Sequence, residues 1–162
     1  MKVFNIGIIG FGGFGKFLFN AWNQLDNIQV TAIADINPEA VSGIENIKYF
    51  SDWKDMIRLE SIDLVAIVTE PHTHKDISKA CMLAGKHVLI EKPLAINSKD
   101  AEEIIHTRDQ TGVVAAIDFI MRFNPLIQII KALTQEGVFG KLRRVAVENY
   151  AQDEQLLPEH WF

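Results

Sequence analysis

Cysteine is almost missing from this sequence. Cys81 stands alone among 162 residues, which excludes an internal disulfide framework and any cysteine-based zinc cluster. An unpaired thiol fits a reducing compartment. Clustered positive charge is missing too: 16 Lys+Arg face 21 Asp+Glu, a formal net charge of −5, and no basic run exceeds Arg143-Arg144. A domain built to grip phosphate backbones or anionic membranes needs a local excess of cations, so neither nucleic acid nor a membrane surface is an expected partner. No apolar run approaches the ~20 residues that a membrane-spanning helix needs. The N-terminal stretch Val3 to Ile9 could open the hydrophobic region of a signal peptide. It contains Asn5, however, runs directly into Phe-Gly-Gly-Phe-Gly, and lacks a small-residue cleavage site. The expectation is a soluble, cytoplasmic protein.

What is present is apolar material for a core, 48% of residues, arranged in an alternating rhythm. Short β-rich runs are predicted at Val3 to Ile9, Ile28 to Ala34, Ile47 to Phe50, Leu64 to Val68, Val88 to Ile90 and Val113 to Ile117. Helical segments lie between them. The first is expected to bury Phe14, Phe17, Leu18, Ala21, Trp22 and Leu25, whose gaps of three and four share one helical face. Asn37-Pro38 reads as a cap and first turn. Ser51 is expected to cap a helix that turns Trp53, Met56 and Ile57 inward. A further helix points Ile77, Ala80, Cys81 and Ala84 at the core and closes at Gly85, and another runs from Ser98 to Thr111 and stops at Gly112. Continuous apolar strands separated by helices imply a parallel sheet covered on both faces, an α/β fold. Past Asp118 the rhythm changes. Asn124-Pro125 opens a helix with Leu126, Ile129, Ile130 and Leu133 on one face, and Leu142 to Tyr150 alternates as a half-exposed strand would. A domain boundary is placed near residue 122.

Gly10-Phe11-Gly12-Gly13-Phe14-Gly15 satisfies G-x-G-x-x-G. A lone match is weak, but here a strand precedes it, an amphipathic helix follows, and Asp35 ends the next strand 20 positions after Gly15. That is the context of a dinucleotide-binding turn. Gly10 permits the tight turn, Gly12 lets backbone approach a pyrophosphate, and Gly15 lets the helix pack closely. The pyrophosphate would then meet free N–H groups at a positive helix end. The carboxylate of Asp35 would accept hydrogen bonds from the adenosine ribose and repel a 2′-phosphate. Ile36-Asn37 offer no arginine to receive one, so NAD is favoured over NADP. Two more loops follow predicted strands, Thr69-Glu70-Pro71-His72-Thr73-His74 and Glu91-Lys92-Pro93, and such ends are where open α/β sheets bind ligands. No convergent Asp, Glu or Cys accompanies His72 and His74 in sequence, so no metal is expected there. Lys92 beside a nicotinamide could orient or protonate a carbonyl oxygen, and a cis Lys92–Pro93 bond could fix its direction.

Together, the glycine turn, Asp35, Pro71-x-x-His74, Glu91-Lys92-Pro93 and Arg122-Phe123-Asn124-Pro125 resemble, in order, the Gfo/Idh/MocA oxidoreductases. This is the group of glucose–fructose oxidoreductase and inositol dehydrogenase. The resemblance implies a doubly wound Rossmann domain over residues 1–122 and, over 123–162, the truncated start of a second α/β domain for substrate and oligomerisation. It implies that Gly10, Phe11, Gly12, Gly13, Phe14, Gly15 and Asp35 contact pyrophosphate and adenosine ribose. Thr69, Glu70, Pro71 and Glu91 are implied around the nicotinamide ribose, with Lys92 touching both nicotinamide and substrate as the catalytic residue; His74, by itself as well read as a helix-start residue, is counted with the cofactor-binding set. Arg122 resembles the family's arginine at the passage between domains and is counted with the cofactor-binding set. Glu70 departs from the pattern, since relatives often place proline there.

The implied activity is hydride transfer between a nicotinamide and the hydroxyl or carbonyl carbon of a sugar or cyclitol, in a homo-oligomer if the second domain is complete. The family's downstream Asp/His pair is not in this sequence, and His160 falls too early to supply it. Two other readings stay open: a non-catalytic dinucleotide-binding module or truncated remnant, and a different Rossmann enzyme such as a semialdehyde or amino-acid dehydrogenase.

Overall fold

The computed structural model describes residues 2–148, which divide after Asp118 into two units. The division falls just ahead of the boundary expected near residue 122. In the first unit six parallel strands form one sheet: β1 (Phe4–Ile9), β2 (Ile28–Ala34), β3 (Lys48–Phe50), β4 (Leu64–Ile67), β5 (His87–Ile90) and β6 (Ala115–Ile117). They lie in the order β3-β2-β1-β4-β5-β6. The chain first winds outward from β1 through β2 to β3, then returns to β1's other edge for β4, β5 and β6. The order reverses between β1 and β4, whose registers pair Ile6 with Leu64 and Ile9 with Ile67. This is the doubly wound arrangement, and a crevice opens where it switches direction.

Strand side chains alternate between the two faces, so each strand feeds two cores. Ile9, Ala32, Ala34, Val65 and Ile67 join one cluster, with Met56, Ile77, Cys81 and Met82. Ile8, Ile33 and Ala66 point to the other, where Phe11, Phe19 and Trp22 meet them. Burial of each Val, Ile or Met side chain among them contributes about 1.5–3 kcal/mol.

The helices of this unit are α1 (Gly13–Trp22), the short α2 (Trp53–Met56), α3 (His74–Leu83) and α4 (Ser98–Thr111). Three expectations are corrected here. In α1 the buried positions are Gly15 and Leu18, whereas Phe17 is 58% exposed and Leu25 is exposed as well. The close approach of Gly15 turns the helix so that Phe19, not Phe17, reaches the core. The cap of α2 is Asp52, which accepts the Lys54 N–H, rather than Ser51. In α3, Ala84 is the exposed C-cap and Met82 takes the buried place. Asn97 caps α4 by accepting the Asp100 N–H, and Gly112 ends it in a left-handed conformation. Lys75–Asp100 and Lys79–Glu103 ion pairs, both 2.7 Å, tie α3 to α4. The buried Lys86 donates to the Leu59 and Ile62 carbonyls, which satisfies an ammonium that would otherwise be costly to bury.

The second unit holds a 3₁₀ turn (Ile120–Phe123) and α5 (Pro125–Gln135), capped by Asn124 accepting the Leu126 N–H. The apolar face of α5 is present as a pattern, but Leu126, Ile129 and Ile130 are exposed. The strand expected over Leu142 to Tyr150 does not form among its described residues: 142–148 carry no regular structure. Alternation makes a strand only where a neighbouring strand takes up its N–H and C=O groups. Asn149, Tyr150, His160 and the Trp161-Phe162 end lie outside the described residues.

Candidate functional site: a cleft at the switch point of the sheet

The carboxyl ends of β1, β2 and β4 surround a cleft of about 550 Å³. Gly10, Gly12, Asp35, Thr69 and Glu70, all expected at a ligand site, line it together. The turn after β1 explains why glycine stands at each place. Gly10 has a positive φ of 88°, and a Cβ there would lie 2.4 Å from the Val68 carbonyl oxygen. A Cβ on Gly15 would lie 2.3 Å from the Gly10 carbonyl oxygen, so helix and turn touch through bare backbone. Gly12 and Gly13 are different. A Cβ on either would meet nothing within 4 Å, so these two glycines leave room rather than fill it. Gly12 caps α1 with no side-chain bond, and no acidic residue stands in the first turn. The helix therefore presents its first-turn N–H groups and positive end with no acidic side chain of its own to cap them.

The rings of Phe11 and Phe14 pack against other aromatic rings. Phe11 is fully buried, its ring edge-on to Phe19 at 5.7 Å; only its backbone serves the turn, donating to Asp35. The Phe14 ring stacks on Phe17 at 5.6 Å. Asp35 is held from both sides, with Oδ2 accepting the Phe11 N–H at 2.6 Å and Oδ1 accepting the Asn37 N–H at 2.8 Å. The Tyr49 hydroxyl donates to its backbone carbonyl. Each carboxylate oxygen still has a second lone pair to offer.

At the other end of the cleft, the Thr73 hydroxyl donates to the Glu70 carbonyl, which leaves Thr69 as the donor in the 2.6 Å Thr69–Thr73 contact. Pro71 opens the 3₁₀ turn Pro71–Thr73. His74 is buried behind this loop and does not line the cleft. Glu91 and Lys92 follow β5, and the Lys92–Pro93 bond is cis. Lys92 is 63% exposed, with Nζ 3.6 Å from Glu91 Oε1. Glu91 Oε2 and Asp118 Oδ2 are buried without a hydrogen-bond partner among the described residues. Burial pushes the Asp118 carboxyl above its ordinary value. Arg122 belongs to the second unit, its guanidinium 5.3 Å over the Phe119 ring.

Sequence reading missed Ser51, Trp53, Val68 and Thr73, which also line the cleft, and the orphaned oxygen of Asp118. The rule that ligands gather at strand carboxyl ends carried a signal for Ser51 and Asp118, which follow β3 and β6. No group of three or more potential metal ligands occurs among the described residues. No helix among them is long and apolar enough to cross a membrane.

Fold, glycine turn and acidic strand end define a dinucleotide-binding α/β domain. Residues 4–119 match the model of the GFO_IDH_MocA oxidoreductase family, described as an NAD-binding Rossmann fold. The chain belongs to that family. It is 28% identical over 142 residues to myo-inositol 2-dehydrogenase of Thermotoga maritima, an alignment covering 84% of this chain and 42% of the relative. It is 30% identical over 156 residues to levoglucosan dehydrogenase of Pseudarthrobacter phenanthrenivorans, covering 88% and 40%. Among solved structures, scyllo-inositol dehydrogenase from Lactobacillus casei, with bound NAD(H) and scyllo-inositol, superposes with a TM-score of 0.81 at 26% identity, covering 86% of this chain and 43% of that one. The chain thus spans well under half the length of each of these relatives.

Proposed function

We propose that this chain is the cofactor-binding part of an NAD-dependent oxidoreductase acting on a hydroxyl or carbonyl carbon of a sugar or cyclitol. The observation that carries the reading is convergence. An uncapped helix N-terminus with space above Gly12 and Gly13, and the Asp35 carboxylate, meet at one cleft on the sheet's switch point. The first suits a pyrophosphate and the second suits ribose hydroxyls. NAD is preferred over NADP because the carboxylate repels a 2′-phosphate and Ile36-Asn37 carry no cation to offset it.

A bound nicotinamide would supply hydride exchange; the chain's own residues bind, orient and handle protons. Thr69 and Glu70 border the nicotinamide end of the cleft. Glu91, 16% exposed with Oε1 3.6 Å from Lys92 Nζ, is assigned to the nicotinamide ribose by its place after β5. Lys92 Nζ, largely exposed beside Glu91, gives a proton to the substrate oxygen during reduction and takes one during oxidation. Relatives named for inositols and levoglucosan, all polyhydroxylated rings, support a substrate of that class. Residues from 123 onward would begin the substrate and oligomerisation domain, with Arg122 at its entrance. A cytoplasmic location fits the buried thiol of Cys81.

The test is to assay the gene product carrying this sequence with NAD against a panel of sugars and cyclitols, following nicotinamide absorbance. Turnover with at least one polyol is expected, and Lys92→Met should lower it by roughly 10²–10⁴-fold while NAD still binds. NAD binding with no turnover on any polyol would favour a non-catalytic module.

A further inference from the structure

His74 opens α3 and is wholly buried, 0% exposed. Its ring faces two backbone carbonyls from two different loops. Nδ1 lies 2.9 Å from the Pro93 oxygen and Nε2 lies 2.9 Å from the Thr69 oxygen. Thr69 follows β4, and Pro93 follows β5 directly after Lys92. One rigid ring therefore spans the loops leaving two neighbouring strands. Carbonyl oxygens only accept, so either neutral tautomer ties one loop, and a ring with hydrogen on both nitrogens ties both. A buried imidazole without such partners would be costly, and its position is set by them.

We propose that His74 is a positioning residue that sets the Glu91-Lys92-Pro93 loop against Thr69, and so holds the nicotinamide end of the site in register. The ring touches neither cofactor nor substrate; it acts through the two backbones that it joins. Thr69 borders the cleft on one side of the tie, and on the other side Pro93 is bonded directly to the residue that carries the proton. A shift of either loop changes where Lys92 Nζ and the Glu91 carboxylate stand, while the glycine turn and Asp35, on β1 and β2, stay as they are.

This inference rests on the proposed dinucleotide site, and ligand choice separates the two. ADP carries the adenosine and the two phosphates that Asp35 and the glycine turn would hold, and lacks both the nicotinamide and its ribose. Calorimetric titrations of the chain with NAD and with ADP are compared for wild type, His74→Gln and His74→Leu. Glutamine keeps an amide donor for one carbonyl, so it serves if leucine prevents folding. The expected result is ADP affinity within about twofold of wild type in each folded variant. NAD affinity should fall by about tenfold in His74→Leu, the effect of losing one well-placed hydrogen bond, and by less in His74→Gln. Equal loss for both ligands would overturn the proposal, because a ring that merely supports the fold does not distinguish them. Unchanged NAD affinity in a folded variant would overturn it too. Wild-type binding of neither ligand would overturn the dinucleotide reading itself.

Discussion

Asp35 Oδ2 accepts the backbone N–H of Phe11 at 2.6 Å, joining the end of β2 to the glycine turn that follows β1. The residue expected to select the ribose thus also shapes the turn expected to hold the pyrophosphate. Its other oxygen accepts the Asn37 N–H at 2.8 Å, so truncation orphans two backbone donors at once.

Asp35→Ala should therefore have two separable effects. Stability should fall by about 1–3 kcal/mol, the cost of leaving donors without their charged acceptor. NAD affinity should fall by roughly ten- to a hundredfold as the ribose hydroxyls lose the carboxylate. Urea unfolding and calorimetry measure the two independently. A folded variant with wild-type NAD affinity would remove Asp35 from the site.

The glycines of the turn should divide by role. Gly15→Ala puts a methyl 2.3 Å from the Gly10 carbonyl oxygen, and the close contact should cost about 1–3 kcal/mol of stability. Gly12→Ala meets no protein atom within 4 Å and gives up only the N-cap preference for glycine, so it should lower the unfolding midpoint less than Gly15→Ala does. The added methyl stands where a ligand is expected to approach the backbone, and NAD affinity should drop. A Gly12→Ala chain as destabilised as Gly15→Ala, or one that binds NAD normally, would contradict the assigned division.

Cys81 should be inert in the folded protein. It is fully buried, and burial pushes its thiol up to about 12, so thiolate is negligible at about pH 8. Mass spectrometry after iodoacetamide treatment should show an unmodified native chain and one added group in denaturant. Rapid native labelling would place the thiol outside the core described.

Acid unfolding should depend on Asp63. The Asn5 backbone N–H, followed by the Lys2 ammonium, holds its carboxyl below the ordinary value of 3.8. A carboxyl with a lowered folded-state pKa contributes stability above its unfolded value and loses it as pH falls through the folded one. Asp63→Asn should flatten the acid limb of the stability curve below about pH 4. Asp118 has the opposite sign: burial raises it, so its contribution is full at low pH and is lost as pH rises. Asp118→Asn should flatten that loss and leave the acid limb unchanged. Superimposable acid limbs for wild type and Asp63→Asn would contradict the assignment.

How much of this was readable in the sequence follows from the range over which each feature is determined. The strand–turn–helix of Phe4 to Trp22 and the distance to Asp35 are local, and glycine stands where backbone must meet backbone. The six parallel strands and their helices are likewise legible as apolar runs and periodicity. Periodicity failed at Phe17, because the closeness of Gly15 to Gly10, not side-chain bulk, orients α1, and at Leu25, because the helix ends at Trp22. The cap at Asp52 instead of Ser51 turned on one residue of register. Trp53 and Thr73 reach the cleft only because β4 pairs with β1 and β3 pairs with β2 on β1's other side, information that no local window holds. The two ring nitrogens of His74 lie against carbonyls 5 and 19 positions away in the chain, and nothing in its neighbours' identity announces them.

The central claim is that this chain binds NAD through the glycine turn and Asp35. Titrating the chain with NAD and, separately, with NADP in a calorimeter tests it most directly. Saturable one-to-one binding of NAD, with NADP distinctly weaker, is the predicted result. No binding of either dinucleotide, or tighter binding of NADP, would contradict the account.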